Sequence, residues 1–176
     1  MTSSSADHRP NLLGGGPWSR TAAPDFSEED TSRQAWRAYF EATALLQDRL
    51  DRTLKDELNL HLADYNLLLL LSESPDGRLR MGELARLMVF SPSRVTYQVK
   101  TLEQRGLVER CASATDRRGA EAVITDDGRH LFRRAAALHS RQVQDLFLDR
   151  LEPGEAETLL RVFSRLGCDL EDGVSG

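Results

Sequence analysis

The chain has 176 residues, 40% of them hydrophobic, with 23 basic against 28 acidic side chains and a formal net charge of −5. That is enough apolar material for one sizeable core, or for a smaller core plus a face completed by a partner. It excludes a helical membrane span, which needs roughly 20 apolar residues, since the run at 67–71 is only five residues long; no membrane partner is expected. The two cysteines, Cys111 and Cys168, have neither a metal-ligand nor a CxxC spacing. The N-terminus lacks the basic start and apolar centre of a signal peptide, so a reducing cytoplasm is the expected compartment.

Residues 1–26 combine Ser, Gly, Pro and Asp without sustained periodicity, the composition of a tail that cannot offset its ordering entropy. Trp18 is the exception, an isolated tail Trp suited to a docking contact. The first helix is expected from about 29–32 to 57, where Trp36, Phe40, Thr43, Leu46, Leu50, Leu54 and Leu58 recur at helical spacing. A second helix, 63–72, contains the run LLLLL, which is too apolar for a surface helix, and ends at the turn Ser74-Pro75-Asp76-Gly77. A brief extended segment at Leu79-Arg80 leads into a third, short helix from 81 to about 88, with Leu84, Ala85 and Met88 on its buried face.

The fourth helix has the clearest start. Ser91 can accept a hydrogen bond from an orphan N–H as cap, and Pro92 suits the first helical position. Gly106 can take the left-handed conformation that ends it. Val95, Val99 and Leu102 form the inner stripe, which leaves Ser93, Arg94, Thr96, Tyr97, Gln98 and Lys100 mostly outside. Two short strands, 107–112 and 120–125, flank the basic tip TDRRG. Thr125 caps a fifth helix running from 126 to about 150, and Pro153 and Glu155 start a last one with Leu159, Leu160, Phe163, Leu166 and Leu170 on one side. The expected fold is mainly α with a small β-hairpin wing: a winged helix-turn-helix core plus terminal helices. The first and the last two helices lie outside that core, and a second copy of the chain is the economical cover for them.

Charge distribution supports a nucleic-acid partner despite the acidic total. Residues 78–118 hold nine basic against four acidic side chains, a surplus of five, while the rest of the chain carries a deficit of ten. A helix that opens on hydroxyl and Arg side chains, followed by a hairpin with two adjacent arginines, can reach a DNA major groove and a flanking minor groove together.

The segments LADYNLLLLL, RMGELARLM, SPSRVTYQVKTLEQRGLVER, TDRRGAEAVITDDG and LEPGEAETLL follow one another between residues 62 and 160 and carry a resemblance that covers about 36–166. In that order and spacing they resemble the multiple-antibiotic-resistance repressor family, MarR, of bacterial winged-helix regulators. The resemblance implies a homodimer clasped by terminal helices that binds double-stranded DNA at a pseudo-palindromic site, represses or activates genes, and is commonly released by a small molecule or an oxidant. It divides the chain into a tail (1–26), an N-terminal dimerisation helix (27–60), a winged helix-turn-helix domain (61–125) and C-terminal dimerisation helices (126–172). Two departures stand out. His61 occupies a capping position where Ser or Thr is common, and imidazole substitutes poorly for a short hydroxyl. No Cys precedes Cys111, which excludes peroxide sensing by a first-helix cysteine.

Within this frame Asp116 would hold the wing turn by pairing with Arg118, while one or both of Arg117 and Arg118 reach the minor groove; the plainer reading has three charges solvating a turn. Arg94 would fork onto a guanine edge or else touch phosphate alone. Ser91, Ser93, Thr96 and Gln98 are candidate base or phosphate contacts, although hydroxyls at a helix start are also ordinary caps. Lys100 faces phosphate, and Tyr97 stacks on a sugar or packs inside. Trp36, Tyr39 and Phe40 either wall a pocket for a small aromatic or phenolic ligand or serve as dimer or domain core. His61, His130 and His139 lack HxxxH or HExxH spacing, and no metal or cofactor is expected. Cys111 falls on a wing strand, and Cys168 suits a dimer core.

No nucleophile with a placed base, phosphate-cradling loop or paired acid constellation is legible, so an enzyme is not expected. The competing reading is a winged helix used as a protein–protein module without sequence-specific DNA binding, which the fold permits. The basic window favours DNA.

Overall fold

The computed structural model describes residues 28–112 and 119–172. The chain divides into two compact units, Met1–Leu46 and Gln47–Gly176. Helix α1 (Glu28–Leu58) begins in the first and continues into the second. The first unit's part of α1 carries an Arg37–Glu41 ion pair at 3.1 Å, one helical turn apart. On the same stretch the Trp36 ring meets those of Tyr39 and Phe40, with centroids 6.0 and 5.8 Å away. The expected tail and Trp18 lie outside the described residues.

In the second unit the end of α1 is followed by α2 (Leu62–Glu73), strand β1 (Arg78–Arg80), α3 (Met81–Leu87), α4 (Pro92–Gln104), β2 (Val108–Ala112), β3 (Ala120–Ile124), α5 (Asp126–Leu146) and α6 (Glu155–Asp172). Single 3-10 turns lie at Pro75–Gly77 and Leu148–Arg150. The hairpin expected from sequence is present, but it belongs to a three-stranded antiparallel sheet of order β1-β3-β2. The segment expected to be merely extended pairs with β3, Leu79 opposite Ala122. Helix α5 stops at Leu146 rather than near 150, because the backbone at Phe147 leaves helical geometry before the 3-10 turn.

The core of this unit forms where the apolar stripes meet. Leu54 of α1, Leu67, Leu68 and Leu71 of α2, Leu84 of α3, Val95, Val99 and Leu102 of α4, Val108 and Ala122 of the sheet, and Ala135 of α5 are all buried in one cluster. Each fully buried leucine contributes about 1.5–3 kcal/mol relative to exposure, so the LLLLL run anchors the unit. Tyr65 of α2 stacks on Phe132 and His139 of α5, at 5.7 and 4.5 Å between centroids. Burial pushes the His139 imidazole below its ordinary pKa. Among the described residues no helix is long and apolar enough to cross a membrane.

Candidate nucleic-acid interface

Helix α4 is built as its sequence signals require. The Ser91 hydroxyl accepts the Arg94 N–H and lies 3.1 Å from the Ser93 hydroxyl, and Pro92 opens the helix. At the other end Gly106 has φ +71°, and Leu107 N–H donates back to the Leu102 carbonyl at 3.0 Å. That closure satisfies a carbonyl the helix leaves orphaned and turns the chain into β2. Val95, Val99 and Leu102 are fully buried. Ser91, Ser93, Arg94, Thr96, Tyr97 and Lys100 are exposed, Tyr97 by 74%. Tyr97 is therefore not packed inside. The Thr96 hydroxyl donates to the Pro92 carbonyl at 2.8 Å, which leaves its lone pairs outward as acceptors.

Gln98 breaks with the expectation. It is 7% exposed, and its Nε2 donates to Asp64 Oδ1 at 3.1 Å. Its position, three residues after Val95 and four before Leu102, lies on the apolar stripe itself; that spacing could have identified it. Gln98 is thus a core residue of α4 and not a candidate for groove contact.

Arg94 stands on the outer side, with its guanidinium carbon 3.6 Å from the centroid of the Phe90 ring. Stacking on an aromatic face attracts the cation and leaves the N–H edge of the fork able to donate. The turn that sets this geometry is strained: Val89, 90% exposed, has φ +53°, a left-handed conformation costly for a β-branched residue. Every described basic residue of the 78–118 window, namely Arg78, Arg80, Arg86, Arg94, Lys100, Arg105 and Arg110, is exposed. The wing tip with Asp116, Arg117 and Arg118 lies outside the described residues.

The wing's base is fixed by Thr125. Its hydroxyl donates to the Gly106 carbonyl at 2.7 Å and accepts from Gly128 N–H at 3.0 Å, and its own N–H donates to the Leu107 carbonyl. One residue thus caps α5 and ties it to the end of α4. The approach is close enough that a Cβ at Gly128 would collide with the Leu107 carbonyl.

The start of α2 answers the question His61 raised. Its ring is not the cap: Asp51 of α1 accepts Leu62 N–H at 2.7 Å, and Asp64 accepts His61 N–H at 3.2 Å. The ring instead bridges Asp51 on Nδ1 and Lys55, which approaches Nε2 at 2.8 Å. Burial raises the Asp51 carboxyl, but the Leu62 N–H, His61 and Lys55 together outweigh it and leave the group below its ordinary range. His130 contacts Arg133, and His139 sits in the Tyr65 stack. Cys111 and Cys168 are both exposed in the single chain.

Comparison with known proteins agrees with this architecture. The profile described as MarR family matches residues 58–119. The chain is 34% identical over 112 residues to the HTH-type transcriptional repressor Rv2887 of Mycobacterium tuberculosis, covering 64% of this chain and 78% of that protein. Among solved structures it is similar to Sco3205 of Streptomyces coelicolor, a MarR family transcriptional regulator in complex with DNA: 36% identity, 82% of this chain, 90% of that one, TM-score 0.76. It is also similar to AbsC of the same organism, 33% identical over 85% of this chain and 99% of that one, with a TM-score of 0.78. The chain belongs to the MarR family of winged-helix, DNA-binding transcriptional regulators.

Proposed function

We propose that the protein is a repressor that acts as a homodimer on a pseudo-palindromic site, with α4 of each copy in a major groove and the wing tip in the flanking minor groove. The observation that carries this reading is the division of α4: its apolar stripe is consumed by the core while Ser91, Ser93, Arg94, Thr96, Tyr97 and Lys100 stay exposed beside it. Arg94, stacked on Phe90, reads a guanine edge, and Lys100 neutralises phosphate. Arg117 and Arg118 enter the minor groove, oriented by Asp116. The repressor names of the relatives and the DNA-bound state of Sco3205 support the same assignment.

Dimerisation is supported by α6, whose Leu160, Phe163, Leu166 and Leu170 are exposed in the single chain, and by an open groove of about 510 Å³ that Phe147, Leu148, Leu151, Leu159 and Phe163 help to line. Apolar patches of this kind on a soluble chain mark an interface. Residues 27–60 and 126–172 are then the dimerisation segments around a DNA-binding domain at 61–125, working in the cytoplasm. Trp36, Tyr39 and Phe40, exposed and with the Trp36 ring against the other two, offer an aromatic wall for a small aromatic or phenolic ligand that releases the DNA.

Selecting binding sites from random DNA tests the reading. A pseudo-palindrome with half-site centres about 10 base pairs apart is expected. On single-base variants of that site, Arg94→Ala should relax preference at one position per half-site by about 1–3 kcal/mol. Equal weakening on all variants would reduce Arg94 to a phosphate contact, and no enrichment at all would overturn the assignment.

A further inference from the structure

Among the described residues, the buried polar or charged side chains are Asp64 and Gln98, and they touch each other. The pair joins the first turn of α2 to the inward face of α4, across 34 residues of sequence. Each carboxylate oxygen has one donor: Oδ1 takes Gln98 Nε2, and Oδ2 takes His61 N–H. The turn that carries Asp64 is itself held by Asp51 through Leu62 N–H.

Such a pair is a poor device for stability. Taking a carboxylate out of water has a desolvation cost that two hydrogen bonds only partly return, and an apolar pair of similar volume is often neutral or stabilising. Its distinctive property is direction. Val95, Val99 and Leu102 hold α4 by packing, and apolar packing of helices is compatible with crossing angles that scatter by about 15–20° from one helix pair to another. A comparable rotation of α4 about its own axis would carry a side chain roughly 5–6 Å from that axis through about 2 Å, enough to lose a base contact that needs donor and acceptor near 2.9 Å. A hydrogen bond from the middle of the stripe removes that freedom.

We propose that Asp64 and Gln98 are positioning residues for DNA recognition: their buried hydrogen bond fixes the rotation of α4 against α2 and thereby sets sequence discrimination. The proposal rests on the reading of α4 as the DNA-reading helix. It separates two properties that a packing role would keep together, discrimination and stability.

The test compares the wild-type protein with Asp64→Asn, the double variant Asp64→Leu/Gln98→Leu, and Gln98→Glu. Each is measured by thermal unfolding and by competition binding of the wild-type-selected duplex against its single-base variants. In Asp64→Asn the new amide can accept from His61 N–H and donate to Gln98 Oε1, so this variant should discriminate within about threefold of wild type. The double variant also takes the acceptor from His61 N–H, so it should unfold about 4–8 °C below wild type, yet lose about tenfold or more in discrimination. Gln98→Glu sets two carboxylates against each other, which raises the pKa of the pair. Where both carboxylates are ionised it should discriminate poorly, and it should recover at lower pH as the pair takes up and shares a proton; it carries the test if the double variant does not fold. A folded double variant that discriminates like wild type, or Gln98→Glu that matches wild type at every pH from 5.5 to 8.5, would overturn the proposal. Wild-type protein with no preferred duplex would remove the reading beneath it, a failure distinct from that of the pair.

Discussion

Helices α4 and α6 are both amphipathic, and they resolve their apolar faces in opposite ways. In α4, Val95, Val99 and Leu102 are fully buried within the chain, so what remains outside is the hydroxyl and basic face. In α6, Leu160 is 70% and Leu170 63% exposed, and Phe163 and Leu166 are also open. The first helix is completed by its own fold and, in the reading proposed above, turns its outer face to DNA; the second leaves its stripe exposed, and we propose a second copy as its cover. An apolar stripe in a sequence therefore does not say which core it belongs to. Only the count of neighbouring stripes available within the chain does.

Matched substitutions break the comparison most sharply. Leu102→Ala, in the closed core, should destabilise the chain by about 2–5 kcal/mol in denaturant unfolding. Leu160→Asp should leave the protomer's far-UV dichroism intact while sedimentation equilibrium shows a monomer at micromolar concentration. Its affinity for the full site should fall by about 100-fold or more, because one half-site no longer holds the other in place. A dimer that survives Leu160→Asp would assign the α6 face to some other partner.

A smaller effect is expected where α4 is joined to α5. Thr125→Ala removes the hydroxyl that caps α5 and anchors the Gly106 carbonyl, and should cost about 1–2 kcal/mol of stability. Thr125→Ser should restore most of it. Equal losses in both variants would mean that the methyl group's packing, not the hydroxyl, holds the wing's base.

The smallest effect concerns His139. Burial lowers its pKa in the folded state, so between that value and the unfolded value near 6.5 the unfolded chain binds the extra proton. Its contribution is full above pH 6.5 and is lost as pH falls from 6.5 toward the folded pKa. His139→Phe keeps a ring against Tyr65 and removes the titration. The wild-type minus variant difference in melting temperature should decline between pH 7.5 and 5.5. A flat difference would mean that the imidazole is protonated as easily in the stack as in water.

The elements with local causes were legible in the sequence. Ser91-Pro92, Gly106 and Thr125 mark their helix ends through hydrogen bonds that close within three to five residues, and the LLLLL run can only be core. What escaped was tertiary. Gln98 lies on the apolar stripe by its spacing, but its partner Asp64, 34 positions earlier, could not be read from that spacing. The cap of α2 comes from Asp51, eleven positions before the N–H it serves. Strand β1 is three residues long, too short for alternation to register, and exists because β3 offers it an edge. At the site, six of the seven α4 residues are exposed and Gln98 is buried. The three wing-tip positions rest on sequence alone.

The central claim is that the outer face of α4 meets DNA twice per dimer. The salt dependence of binding to the selected duplex, compared between wild type and Lys100→Ala, tests it directly. If the dimer neutralises about eight phosphates, the slope of log K against log salt should be about −7, and loss of two lysine contacts should bring it to about −5. A wild-type slope near zero, or identical slopes for the two proteins, would contradict the account.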